Sequence, residues 1–221
     1  KNELLDLTDY LLRSCYFELT GRFFVQLDGV SMGSSLGPAA ANVYMNFFEY
    51  ETFTVARELG LNIPTMWFRF VDDVLALWTH CEDQLPNFLE FLNSRVDSIN
   101  FTMEIEAEKK ISFLDIVIDR NGDSPVFSVH RKSTHSNLYL NRSSCHPRGV
   151  FGGVIKSLAL RASHLCSDST LSEELENLKD TLVANGYQTK EISAQIRSLD
   201  EGMKYGSEQK KMCGSIPYFP G

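Results

Sequence analysis

The stretch WFRFVDDVLALW, Trp67 to Trp78, sets two adjacent carboxylates, Asp72 and Asp73, inside an apolar run of strand-forming residues. Phe68, Phe70, Val71, Val74, Leu75 and Leu77 favour extended chain, whereas Asp is depleted from strands and common in turns. The run therefore predicts an antiparallel hairpin bent at the aspartates. Two ionised carboxylates side by side repel each other, and burial raises the cost of both. Three arrangements make the pair tolerable: a solvent-exposed turn, the cap of a helix, or a bend facing a divalent cation.

Upstream of the hairpin, GRFFVQLDGV reads as a short strand running into a glycine turn. SMGSSLGP follows, a loop of small residues ending in Pro38, which suits the first turn of a helix. That helix is expected over roughly residues 39 to 59, with Ala40, Val43, Tyr44, Phe47 and Phe48 on one side and Gly60 and Pro64 ending it. Leu4, Leu5, Leu11, Leu12 and Cys15 give residues 2 to 20 near-helical spacing as well. Downstream, a helix is expected over 82 to 96, and residues 99 to 119 alternate as a pair of strands around a Lys109-Lys110 turn. Asn121-Gly122 marks a hairpin turn into PVFSVHRK. From Gly149 the pattern is helical: 149 to 166, 171 to 184 and 189 to 200, the last two separated by the helix stop Asn185-Gly186. Mixed strands first and helices last define an α+β chain.

The chain has 221 residues, 43% of them hydrophobic, enough to bury one large core or two small ones. No run approaches the roughly 18 to 20 apolar residues of a membrane span, and there is no signal-peptide pattern. The first residue is Lys1, as expected of a fragment. Five scattered cysteines argue against a disulfide framework and for a reducing compartment, hence an intracellular protein, nuclear or cytoplasmic and not secreted. The formal charge of −8 counts against a polyanionic partner, but its distribution does not. Between Asp123 and Asp168 the chain carries Arg131, Lys132, Arg142, Arg148, Lys156 and Arg161, four of the five histidines and no carboxylate. Such an island fits a local nucleic-acid footprint, or a gap in acid usage on a solvated face.

Two of these motifs stand in a suggestive order. Gln26-Leu-Asp-Gly-Val-Ser-Met-Gly-Ser-Ser-Leu-Gly-Pro38, with Ala41-Asn42 and Met45, resembles the B motif of reverse transcriptases. RFVDD at 69 to 73 resembles their metal-binding C motif, and FLDIVI at 113 to 118 is similar to the strand pair that grips the primer. The segment VHRKSTHSNLYLNRSSCHPRGVFGGVIKSLALRASHLCSD resembles the one that follows the palm in Penelope-like retroelements. The resemblance implies a partial palm over residues 1 to 123, then a basic connector and a helical thumb-like region over 124 to 221.

Carried over residue by residue, it implies Asp72 and Asp73 as catalytic carboxylates for magnesium, with manganese as a substitute. Gln26, Gly29, Met32, Gly33 and Pro38 would contact nucleotide or template, and Phe113, Leu114 and Asp115 would support the primer end. Arg131, Lys132, Arg142, His146, Arg148, Lys156 and Arg161 would meet the nucleic-acid backbone. The implied partners are an RNA template, a DNA primer and deoxynucleotides, the chemistry two-metal nucleotidyl transfer. A nicking endonuclease module of the GIY-YIG type is expected to follow in such an element.

The departures from the family matter. Nothing before Gln26 matches the family's earlier aspartate-bearing strand, since Asp6 and Asp9 lie in a helical pattern, and the fingers are missing. A fragment inactive alone is expected, the alternative being a non-catalytic nucleic-acid-binding remnant or host-adopted protein. Cys145-His146 and His164-x-Cys166 have zinc-ligand types but not the usual knuckle spacing. The pair at 171 to 184 and 189 to 200 has the outline of a helix-turn-helix. Its first helix carries Glu173, Glu174, Glu176 and Asp180, a poor match for entering a groove, so thumb-like packing is expected instead.

Overall fold

The computed structural model describes residues 2–27, 29–31 and 33–206. It is α+β, as the sequence predicts, and divides into two compact units, Lys1–Glu104 and Ile105–Gly221.

The first unit opens with α1 (Asn2–Arg13), followed by a hairpin of β1 (Tyr16–Leu19) and β2 (Arg22–Val25). The expected helix stops short because Thr20 and Gly21 both adopt positive φ (52° and 75°) and fold Tyr16–Leu19 back onto the next strand. Then comes α2 (Gly37–Glu58), whose first free amides are met by Ser34: its Oγ accepts from the N–H groups of Leu36 and Gly37 at 3.3 and 3.2 Å. A Cβ on Gly37 would lie 3.2 Å from the Ser31 carbonyl oxygen, so the turn admits little else there.

β3 (Met66–Phe70) and β4 (Asp73–Leu77) form the expected hairpin, with Val71 and Asp72 as its two turn residues and Asp73 paired opposite Phe70. One face turns toward α2. Trp67 Nε1 donates to Glu49 Oε1 at 2.9 Å, Arg69 Nε to the same oxygen at 2.6 Å, and Arg69 Nη1 to Asn42 Oδ1 at 2.9 Å. Asn42, Asn46 and Glu49 recur at helical spacing, so one stripe of α2 holds the arginine. Met66, Phe68 and Phe70 point the other way and are exposed. Glu82–Gln84 forms a 3-10 turn leading into α3 (Leu85–Asn93), and Phe53, Trp67, Trp78 and Phe101 make ring contacts with one another and with the buried Phe48 and Phe88.

The second unit starts with an antiparallel sheet of β5 (Lys110–Phe113), β6 (Ile116–Asp119) and β7 (Val126–Val129). The turn expected at Lys109-Lys110 falls one residue earlier, at Glu108 and Lys109, both at positive φ, with Lys110 already in β5, and the strand expected before it is reduced to the single bridge Ala107–Lys110. ISFLDIVIDR instead folds into its own hairpin, bent where Leu114 takes a φ of 52°. Three helices complete the unit: α4 (Arg148–Leu165), α5 (Asp168–Ala184) and α6 (Thr189–Gly206). Their core is Phe151, Ile155 and Ala159 of α4, Leu178 and Leu182 of α5, Tyr187 of the turn and Ile192 of α6. The i, i+4 spacing on α4 and α5 is what makes one stripe of each helix apolar.

Candidate nucleic-acid interface

The turn between α5 and α6 is built from Asn185, Gly186, Tyr187 and Gln188. Leu182 O accepts from Tyr187 N–H at 3.1 Å and Val183 O from Gly186 N–H at 2.9 Å, the double bond pattern of a glycine-terminated helix. Gly186 has a φ of 88°, and a Cβ there would touch the Arg142 side chain at 3.4 Å. Tyr187 drops into the core, and its hydroxyl donates to Leu140 O at 2.9 Å.

Asn185 ties this turn to the chain that precedes α4. Its Oδ1 accepts from Tyr139 N–H (3.0 Å), and its Nδ2 donates to Asn137 O (2.9 Å) and Thr181 O (2.8 Å). Its own carbonyl accepts from Arg142 N–H at 3.0 Å. The segment 137–142 is thus fastened along the helix pair.

Packing fixes which side of α6 faces outward. Ile192 is buried, Ile196 and Leu199 join the core, and Glu191 turns to Arg142, 3.2 Å from its Nε. Lys190, Ala194, Arg197 and Ser198 are left exposed on the opposite stripe, without a carboxylate among them. The acids of α5 behave differently. Glu174 is buried and bound by both Nη groups of Arg131, while Glu173, Glu176 and Asp180 are exposed on α5 itself.

The seven basic-island residues fall into two groups. Arg131, Arg142 and Arg161 are engaged within the fold. Arg131 sits on Glu174, which with burial opposing it raises its pKa, and Arg161 Nη2 meets Asp115 Oδ1 at 3.1 Å. Arg142 lies over the Phe151 ring, 4.4 Å from its centroid. Lys132, Arg148 and Lys156 are exposed and have no ion-pair partner among the described residues. His146 shares a 3.0 Å hydrogen bond with Ser144 Oγ at the entry to α4.

Residues 138–197 match the animal helix-turn-helix domain family. No curated protein and no solved structure matches the chain. The family match makes nucleic-acid binding the coarse function and corrects two expectations. The resemblance to Penelope-like reverse transcriptases is overturned, because the region it assigns to a thumb matches the helix-turn-helix family instead. The strands it assigns to one palm also form three separate small sheets, with FLDIVI in the other unit from the VDD hairpin. The thumb-like packing reading of α5 and α6 falls with it. Acidity on α5 does not disqualify the motif, since the helix that enters a groove is the second one.

Gln26, Gly29, Gly33, Pro38, Asp72 and Asp73 all belong to the first unit, while Met32 lies outside the described residues. Asp72 and Asp73 supply two carboxylates from one turn. Among the described residues, no three His, Cys, Asp or Glu side chains come together. The zinc-type residues are likewise not gathered: Cys145 is exposed in a loop, and Cys166 caps α4, its thiol pushed up by burial and by Glu174. Phe113 ends β5, and Leu114 and Asp115 turn the chain into β6, where Asp115 serves as the partner of Arg161. Lys190 and Arg197 are not among the residues the sequence singles out, and Asn185 is singled out only as part of a helix stop. The cations carry a readable signal, their i, i+7 spacing just after a helix stop, whereas the contacts of Asn185 reach 46 and 48 residues back.

Among the described residues no helix is long and apolar enough to cross a membrane.

Proposed function

We propose that the chain is a duplex-DNA-binding protein whose second unit reads DNA with α6. The observation that carries this is the coincidence of the family match with a helix whose outward stripe is cationic: Lys190, Ala194, Arg197 and Ser198. In a helix-turn-helix the second helix lies in the major groove and its first turns reach base edges. Lys190 and Arg197 lie two turns apart, suited to contacting phosphates or guanine edges on one side of the groove. Lys132, Arg148 and Lys156 are uncommitted cations of the same unit and would contact flanking phosphates. The protein would act where duplex DNA is found, in the nucleus.

The test is fluorescence anisotropy with a labelled duplex across a salt series. Lys190→Ala/Arg197→Ala should weaken binding at least tenfold and reduce the salt slope by about 2, roughly one for each lost contact. The helical circular dichroism signal should not change, because both side chains are exposed. Wild-type affinity in the double variant refutes the assignment of α6.

A further inference from the structure

A second feature of the helical unit lies mostly before the residues matched to the helix-turn-helix family, with Arg161 alone of the named lining residues inside them. Between the β5–β6 turn, the chain leaving β7 and α4 opens a cleft of about 380 Å³. Asp115, His130, Lys132, Thr134, His135 and Arg161 line it. Its floor is rigid. His130 N–H bonds Asp115 O at 2.8 Å, and His135 N–H bonds Lys132 O at 2.8 Å, closing a turn that presents Lys132, Thr134 and His135. Arg161 is held at the wall by Asp115, whose carboxylate is largely exposed and so holds it in a solvent-screened pair. The Lys132 ammonium and Thr134 hydroxyl have no hydrogen-bond or ion-pair partner among the described residues, and both side chains are exposed.

Ammonium, hydroxyl and imidazole donors line one concavity beside a loosely held guanidinium, the first two unspent and the His135 Nε2 sharing a 3.5 Å hydrogen bond with the Tyr139 hydroxyl. That set matches a tetrahedral oxyanion, which accepts from several directions at once and competes with Asp115 for Arg161. We propose that this cleft binds one phosphate of a nucleic-acid strand, an anchor separate from the groove face of α6. It rests on the nucleic-acid-binding reading above for its source of phosphate, not for its chemistry. The phosphate is either an internal diester or a 5′-terminal monoester.

The experiment uses the full chain and two probes. Inorganic phosphate, titrated against chloride at constant ionic strength, should shift the amide resonances of 130–136 selectively. Duplexes ending in 5′-phosphate or 5′-hydroxyl should both bind, and Lys132→Ala/Thr134→Val should weaken binding several-fold with a salt slope lower by about 1. Loss on both duplexes assigns a backbone phosphate, and loss confined to the phosphorylated one assigns the terminus. Either result supports the cleft. If phosphate moves these resonances no more than chloride does, or the variant binds both duplexes like wild type, the proposal is overturned. Lys190→Ala/Arg197→Ala separates the two readings, because it should leave the phosphate shifts intact. Wild-type chain that binds no duplex yet keeps those shifts refutes the α6 reading and overturns the nucleic-acid source of the phosphate, leaving an oxyanion site alone.

Discussion

Replacing Asn185 tests whether the helix-turn-helix turn is fastened as described. The side chain is 5% exposed and makes three hydrogen bonds, accepting from Tyr139 N–H and donating to the carbonyls of Asn137 and Thr181. At a net contribution of about 1 kcal/mol each, Asn185→Ala should cost the turn about 2 to 4 kcal/mol, the upper end reflecting an unpaired Tyr139 amide. Asn185→Asp is the sharper perturbation. It keeps the size and the acceptor for Tyr139, but sets a carboxylate oxygen where Nδ2 now lies 2.9 and 2.8 Å from two carbonyl oxygens. At neutral pH it should therefore cost at least as much as alanine.

The new carboxyl would have a raised folded-state pKa, since burial and the facing carbonyls disfavour its charge. Its favourable, protonated form is fully present below the unfolded value of about 4 and is lost as pH rises through the folded one. The deficit of Asn185→Asp should thus shrink on acidification while that of Asn185→Ala stays constant. Because two units need not unfold together, amide hydrogen exchange at Tyr139, Arg142 and Tyr187 is the appropriate measurement. A loss of 2 to 4 kcal/mol appears as roughly a 30- to 1,000-fold fall in protection. An aspartate tolerated better than alanine at pH 7 would refute the donor assignment.

Three further outcomes are expected. Glu49→Leu should destabilise the first unit by about 3 to 5 kcal/mol, because it strands the Arg69 guanidinium, 9% exposed, without its counter-charge, whereas Glu49→Leu/Arg69→Met should recover much of the loss in thermal melts. Val71→Gly should raise the melting temperature of that unit, the relief of a β-branched residue held at a φ of 57° outweighing the added chain entropy; an unchanged or lower value would show that the turn carries no strain. Glu106, lowered in pKa chiefly by its hydrogen bond from Arg120, and Asp119, lowered chiefly by the Asn121 amide and then Lys110, should stay ionised to lower pH than free carboxylates in an NMR titration. Their contribution to the sheet should be lost only as pH falls through those depressed values, and Arg120→Ala should return Glu106 alone toward its ordinary range.

The hairpin at 66–77, the helices after Arg148 and the Asn185-Gly186 stop were legible because each rests on local signals: alternation, 3.6-residue spacing, a glycine at positive φ. β1 was not, since Tyr16–Leu19 continues a helical spacing and becomes a strand only by pairing with Arg22–Val25. FLDIVI reads as one strand because Asp115 is its one turn-forming residue, and Leu114 adopts positive φ without the usual glycine or asparagine. The basic island was visible, but not its division into paired and unpaired cations. Glu174 and Glu191 lie 43 and 49 residues from the arginines they bind, so linear charge counting cannot find them.

That division also explains how a chain of formal charge −8 presents a cationic face. The arginines nearest the helix core are spent on structure: Arg131 satisfies the buried Glu174, and Arg142 bridges Glu191 and the Phe151 ring. Each pair cancels itself electrostatically and fixes one helix relative to the segment before α4. The exposed acids of α5, Glu173, Glu176 and Asp180, stand on the helix that precedes the turn, while the exposed stripe of α6 holds only Lys190 and Arg197 as charged groups before Asp200. On the proposed reading, a polyanion would be repelled at the α5 surface and attracted at α6, so the unfavourable net charge would serve orientation. Affinity would then depend on a few local cations, and the acidic remainder would suppress binding in any other pose.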